Sequence, residues 1–282
     1  MCIHPSTFVN GYVERLPYFI AGLPRSGSTL LINLLAQNPD FKLGATSVLP
    51  QLLSDIKNSW HTLPLTKTMS ETDSYVKLKA ILNGLLSGFY QDTTQTVIFD
   101  KSRTWPSLIE TLIELGYQPQ ILATVRDVRE IVASFEKLYS KSLALGAPTQ
   151  LLANPQVMQN PDTRLNYWLG GDAPLGSSYN TLLDAFRRGH TDRIHIVRFE
   201  DFTTYPAQTL HEIYEWLELP HFEHDVKNVT QTIFEDDRPH GFRDLHKIHE
   251  GAIKPVKTTW QQILPKEFAE KIAGQNFWNN PI

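Results

Sequence analysis

The chain has 282 residues, of which 41% are hydrophobic and 20% charged. That is an ordinary globular composition, and the length is enough to bury a substantial core in one α/β domain spanning 1–282. A net charge of −4 argues against a general nucleic-acid binder, whose footprint would be strongly basic, but leaves room for a local basic pocket. Cys2 is the only cysteine, which excludes an intrachain disulfide and a cysteine-rich zinc site, and no apolar run reaches the length of a membrane span.

Residues 1–7 lack the basic start and apolar stretch of a signal peptide, so a soluble, cytoplasmic protein without membrane contact is expected. Tyr18-Phe19-Ile20-Ala21 reads as a short strand, and Thr29 opens a helix to about Gln37, where Asn38-Pro39-Asp40 stops it. Apolar residues at mixed three- and four-residue spacing predict helices over 49–62 and 70–90. Thr96–Asp100 is expected as a buried strand, Trp105-Pro106 as the start of a helix to Gly116, and Gln120–Val125 as another buried strand. A helix follows from Arg126-Asp127 through about Tyr139. Residues 140–180 are broken by Pro148, Pro155, Pro161, Pro174 and Gly170-Gly171, and read as an insertion forming a lid or an interface. A fourth strand is expected at Arg193–Phe199, then a helix from Pro206 to Leu219, ended by Pro220.

Short apolar strands alternating with helices predict an α/β, P-loop-type three-layer fold with a central parallel sheet flanked by helices. Ligands of such sheets sit at the carboxyl ends of the strands. Arg25, Asp100-Lys101 and Arg126 all fall at that edge. The loop Gly22-Leu23-Pro24-Arg25-Ser26-Gly27-Ser28-Thr29 lies between strand and helix, where free N–H groups and the positive helix end converge on an anion. The spacing G-x-x-x-x-G-K-[ST] would put Lys at position 28, but Ser28 stands there and the cation comes earlier, as Arg25.

That loop resembles the 5′-phosphosulfate loop of the sulfotransferases that use 3′-phosphoadenosine 5′-phosphosulfate (PAPS). Its Arg is closer to the tyrosylprotein and bacterial or phage branch than to the cytosolic one. The resemblance extends loosely over about 17–260. It implies that Arg25 grips the phosphosulfate, with Ser26, Gly27, Ser28 and Thr29 binding mostly through backbone N–H groups. It also implies that Arg126 and Ser134, eight residues apart, hold the 3′-phosphate, that Lys101 approaches the transferred sulfuryl group, and that Lys254 in Ile253-Lys254-Pro255-Val256 helps bind the nucleotide. Lys247 is a weaker candidate. Arg25 and Lys101 are the implied catalytic cations, and no metal site is expected. The acceptor would be a hydroxyl or amine on a small molecule, glycan or peptide.

Two departures matter. The tyrosylprotein enzymes carry a Glu pair where this chain reads Gly44-Ala45-Thr46-Ser47. The cytosolic enzymes carry a His at the position of Arg103, which cannot act as a base. Asp100, His240, His246 and His249 are candidate replacements, and none is singled out. Glu235-Asp236-Asp237 reads as a solvated turn, because three adjacent carboxylates do not face one point. Trp60, Trp105, Trp168, Phe234 and Trp260 serve either core packing or an acceptor pocket. Two other readings stay open: a P-loop nucleotide kinase using Arg25, with Asp100 the one strand-end carboxylate for magnesium, and a non-catalytic adenine-nucleotide binder.

Overall fold

The computed structural model describes residues 17–145 and 158–279, together with the backbone of two short antiparallel strands, Phe8–Val9 and Tyr12–Val13. The central sheet has five strands, β1 (Tyr18–Gly22), β2 (Phe41–Lys42), β3 (Val97–Lys101), β4 (Ile121–Val125) and β5 (Ile194–Arg198). Their spatial order is β2-β3-β1-β4-β5 and every pairing is parallel. The helices are α1 (Ser28–Leu35), α2 (Leu49–Thr62), α3 (Glu71–Phe89), α4 (Ile109–Leu115), α5 (Val128–Ala144), α6 (Pro161–Trp168), α7 (Pro174–Arg187), α8 (Phe199–Thr204), α9 (Pro206–Trp216) and α10 (Lys266–Ile272).

The period-two alternation of strand side chains divides the core between the two faces of the sheet. Phe19, Ala21, Ile121, Ala123 and Val125 pack on one face with Trp105, Leu112 and the apolar stripe of α5, Val128-Ile131-Val132-Phe135. Ile20, Leu122 and Val197 pack on the other with Leu31 and Leu34 of α1 and Leu210 and Ile213 of α9. A strand covered on both sides must be apolar at every position, which is why these runs are legible as buried parallel strands. Each fully buried Phe, Ile or Leu contributes about 1.5–3 kcal/mol of transfer free energy.

The four expected strands are present, and β2 is an addition. It is only two residues long, so no alternation marks it, and it is recruited by pairing with Val97 and Ile98. The segment from Trp105 starts as a 3₁₀ turn, Trp105–Leu108, before α4 begins. Pairing of Ile20 with Lys101 and of Gly22 with Thr124 brings the ends of β1, β3 and β4 to one edge. The central strand's two neighbours enter and leave the sheet on opposite sides of β1, which opens a crevice there.

Within 140–180, residues 146–157 lie outside the described residues. The rest forms the end of α5, all of α6 and the start of α7, and Leu165, Trp168 and Leu175 are buried in the larger core cluster. One buried carboxylate ties α5 to α6. Glu136 accepts from Arg164 Nε at 2.9 and 3.1 Å, from Arg164 Nη2 at 2.6 Å and from Trp168 Nε1 at 2.7 Å. Deleting one partner of such a pair strands the other charge away from water. Glu136→Ala is therefore expected to destabilise the fold by about 3–5 kcal/mol in urea denaturation. A loss under about 1 kcal/mol would show that α6 docks without this contact.

Candidate active site

The loop after β1 is shaped by two close approaches. Gly22 has φ +119° and lies so near β4 that a Cβ would sit 2.0 Å from the Thr124 carbonyl oxygen. Gly27 has φ +92°, and a Cβ there would sit 2.4 Å from the Phe199 ring. Ser26 is buried, and its hydroxyl is used inside the fold: it lies 2.5 Å from the Leu23 carbonyl oxygen, 2.9 Å from the Thr124 carbonyl oxygen and 2.7 Å from Thr124 Oγ1. Any contact Ser26 makes with a ligand is therefore left to its backbone. Gly27 is the N-cap of α1 and supplies no side-chain cap, so the first N–H groups of the helix keep their donors for an incoming acceptor. Arg25 holds a left-handed φ of 60°, a conformation costly for a residue with a Cβ and tolerated where the surrounding loop enforces it.

The Arg25 guanidinium donates from Nε to Ser134 Oγ at 3.1 Å and from Nη1 to the Leu245 carbonyl. Arg126 donates from Nη1 to the Arg25 carbonyl at 3.3 Å and from Nη2 to Glu130 Oε2 at 3.2 Å, with its guanidinium carbon 4.9 Å from the centre of the Phe199 ring. Its Nε is buried and has no hydrogen-bond partner among the described residues. Burial pulls both arginines below the usual guanidinium range, for Arg25 with help from the neighbouring Arg126 charge. Glu130 is the counterweight: its other oxygen accepts from the backbone N–H of Thr259 at 2.6 Å and of Trp260 at 3.0 Å, tying the C-terminal segment to the same spot. The structure thus brings Arg25, Arg126 and Ser134 together, but the Ser134 hydroxyl faces Arg25.

Lys101 ends β3 and is buried, donating to Glu235 Oε2 at 2.5 Å. Burial lowers its pKa even though Glu235 opposes the shift. Burial alone would raise the Glu235 carboxyl, but the Lys101 charge and hydrogen bond, with Thr46 and His246, hold it at about 2. Asp100 precedes Lys101 on the strand and so points the other way. It accepts from Trp105 Nε1 at 2.6 Å and from the Tyr90 hydroxyl, a buried structural carboxylate turned from the cleft. This placement removes the one strand-end carboxylate weighed for base or magnesium ligand.

The acidic run departs from the solvated turn read in the sequence. Glu235 and Asp237 turn inward while Asp236 pairs outward with Arg238, an every-other-residue arrangement that adjacency in sequence does not reveal. Asp237 Oδ1 lies 2.6 Å from His246 Nδ1, and Glu235 Oε2 lies 3.7 Å from His246 Nε2. The loop that carries them is pinned at its base. Val229 and Gly251 exchange both backbone hydrogen bonds, and Asn33 of α1 accepts from the N–H groups of Thr232 and Ile233 at 2.7 and 2.8 Å.

These groups surround one cleft of about 1260 Å³, whose lining includes Arg25, Gly27, Ser28, Thr29, Lys101, Arg126 and Ser134. Lys254 and Lys247 are exposed on its rim, with His240 and His249. Trp105 and Trp168 are core residues, Trp60 and Trp260 pack against the core, and Phe234 is exposed, so none of the five aromatics lines the cleft. Among the described residues no helix is long and apolar enough to cross a membrane, and no group of three or more His, Cys, Asp or Glu is placed to hold a metal ion.

A family model described as the sulfotransferase family matches residues 17–224. No curated protein sequence matches. Among solved structures, the sulfotransferase domain of the Synechococcus PCC 7002 olefin synthase is 19% identical, with a TM-score of 0.54 over 92% of this chain and 96% of that one. The sulfotransferase domain from the curacin biosynthetic pathway is 18% identical, with a TM-score of 0.51 over 95% and 93%. A mouse sulfotransferase crystallised with PAP is 12% identical, with a TM-score of 0.54 over 93% and 83%. Structural likenesses at this identity speak for the fold. The family match takes in the strand-end loop, Lys101, Arg126 and Ser134, and the chain belongs to the sulfotransferase family.

Proposed function

We propose that this chain is a single-domain sulfotransferase whose donor is PAPS and whose acceptor is a hydroxyl or amine. The observation that carries the proposal is the pairing of two anion-seeking features in one cleft. One is the uncapped N-terminus of α1 beside Arg25, and the other is the Arg126 guanidinium, which lines the same cleft. A nucleotide with phosphates at both ends matches two such features, whereas a mononucleotide phosphate would use one. The presence of PAP in the mouse structure supports the same donor.

When bound, PAPS supplies a sulfuryl group on a phosphate leaving group, and in-line displacement builds negative charge on the bridging oxygen. Arg25 can fork across two anionic oxygens, and it lies in the loop, where contact persists through the reaction. The backbone N–H groups of Gly27, Ser28 and Thr29 add fixed donors, with the Ser28 and Thr29 hydroxyls close by. Arg126 and Ser134 would hold the 3′-phosphate, Glu130 fixing the orientation of Arg126, and Lys254 would reach the nucleotide from the rim. Lys101 is buried and desolvated, which strengthens its field on any charge forming beside it.

Calorimetry is expected to show PAP binding at least tenfold tighter than AMP. Arg126→Ala should weaken PAP by about 1.5–3 kcal/mol, on the order of 10- to 150-fold, and leave AMP nearly unchanged. Equal affinity for PAP and AMP would remove the second phosphate site. Turnover of labelled PAPS against a panel of phenols, sugars and tyrosine peptides tests the transferase reading itself. With an acceptor from that panel, Lys101→Ala should lower kcat and kcat/KM together by about two to three orders of magnitude while PAP affinity changes little. Near-normal turnover would make Lys101 a structural lysine.

A further inference from the structure

The cleft lacks both carboxylate and imidazole at the positions where the resemblance leads one to expect a base, yet it contains an imidazole supplied from elsewhere. We infer that His246 is the general base of the transfer reaction, oriented by Asp237, with Glu235 holding Lys101 beside it; this rests on the PAPS-dependent reading above.

Three features of His246 support the assignment. Its ring lies against Asp237 at 2.6 Å through Nδ1, a carboxylate–imidazole contact that places the proton on Nδ1 and leaves the Nε2 lone pair available. Its backbone is fixed on both sides, the N–H donating to Asp237 Oδ2 at 3.3 Å and the carbonyl accepting from Gln231 Nε2 at 3.0 Å, so ring position is set by the loop. Nε2 lies 3.7 Å from Glu235 Oε2, the oxygen that binds Lys101 Nζ. That separation is too long for a hydrogen bond between the two. It lets one acceptor hydroxyl approach Nε2 while staying beside the lysine that meets the sulfuryl group.

The charged and titratable groups around the ring are Asp237 and Glu235 on its own loop, Lys101 from β3, and His240, whose ring centre is 5.6 Å away. Burial lowers the imidazole pKa most, Lys101 acts the same way, and the two carboxylates oppose them. The ring is therefore neutral, and able to accept a proton, at and above neutral pH. Glu235 is the poorer candidate. Held at about 2 by Lys101, it has little affinity for a proton while that pair is intact.

In the step so defined, the acceptor O–H proton passes to His246 Nε2 as the acceptor oxygen forms its bond to sulfur. The bond from sulfur to the 5′-phosphate oxygen breaks, and its electron pair leaves on that phosphate. The products are the sulfated acceptor, PAP and an imidazolium that returns its proton to water, so atoms and charge balance. Once Lys101 turns to the departing oxygens, Glu235 is released to stabilise that imidazolium.

The test needs no acceptor at its first stage. Imidazole nitrogen NMR of the PAP-bound protein at pH 7.5 is expected to show His246 neutral, protonated at Nδ1 and bare at Nε2. Asp237→Asn, which can turn an amide N–H toward Nδ1, should shift the proton to Nε2 with PAP affinity within about twofold of wild type. At the second stage, kcat/KM for the panel acceptor should rise with pH through the measured imidazole pKa. His246→Gln should abolish that rise and reduce kcat by about 10²- to 10⁴-fold, with PAP affinity unchanged. An imidazolium or an Nε2–H tautomer at pH 7.5, or a pH profile that survives His246→Gln, overturns the assignment and leaves the donor reading standing. Failure of PAP to bind the wild-type protein overturns the donor reading, and the base assignment with it.

Discussion

The site depends on how closely β1 and β4 approach at their carboxyl ends. Gly22 sits against the Thr124 carbonyl at a distance no other residue could tolerate, and Ser26 then closes the loop back onto Thr124 with its buried hydroxyl. That contact turns the loop so that Gly27 can cap α1 with a left-handed backbone and no side chain. It also sets the loop beside the residue that follows β4, Arg126. Two cationic groups from strands 101 residues apart in sequence become neighbours, with Arg126 bonded to the Arg25 carbonyl.

The electrostatics follow from that geometry. Arg25, Arg126 and Lys101 are all drawn from water, and burial lowers the pKa of each. The fold offsets the cost with Glu130 beside Arg126 and Glu235 beside Lys101, and the carbonyl of Leu245 and the hydroxyl of Ser134 beside Arg25. A buried pair of this kind is weak evidence for stability, since desolvation consumes much of the attraction. Its value lies in holding positive charge in place within a low-dielectric cleft, where an anionic ligand gains most from it.

Much of this was legible in the sequence, for identifiable reasons. Strands buried on both faces are uniformly apolar, so β1, β3, β4 and β5 announce themselves, whereas β2 is two residues long and exists through its partner. The loop and Arg126 are local signals, a spacing and a strand end. What escaped was tertiary. Ser134 lies eight residues from Arg126 as the resemblance requires, yet its hydroxyl meets Arg25 in this structure. Asp100 neighbours Lys101 in sequence and faces the opposite side of the sheet. Glu235 and Asp237 looked like a surface run because no helical or strand period governs the loop that carries them. Their inward turn is set by Lys101 and His246, residues 134 and 9 positions away.

The central claim is that one cleft holds the two ends of a bis-phosphorylated adenosine nucleotide. A crystal structure of the protein with PAP tests it most directly. The account predicts the 5′-phosphate on the N–H groups of Gly27, Ser28 and Thr29 beside Arg25, and the 3′-phosphate accepting from the Arg126 guanidinium. A nucleotide bound away from this cleft, or held there by one phosphate with no phosphate contact to Arg126, would contradict it.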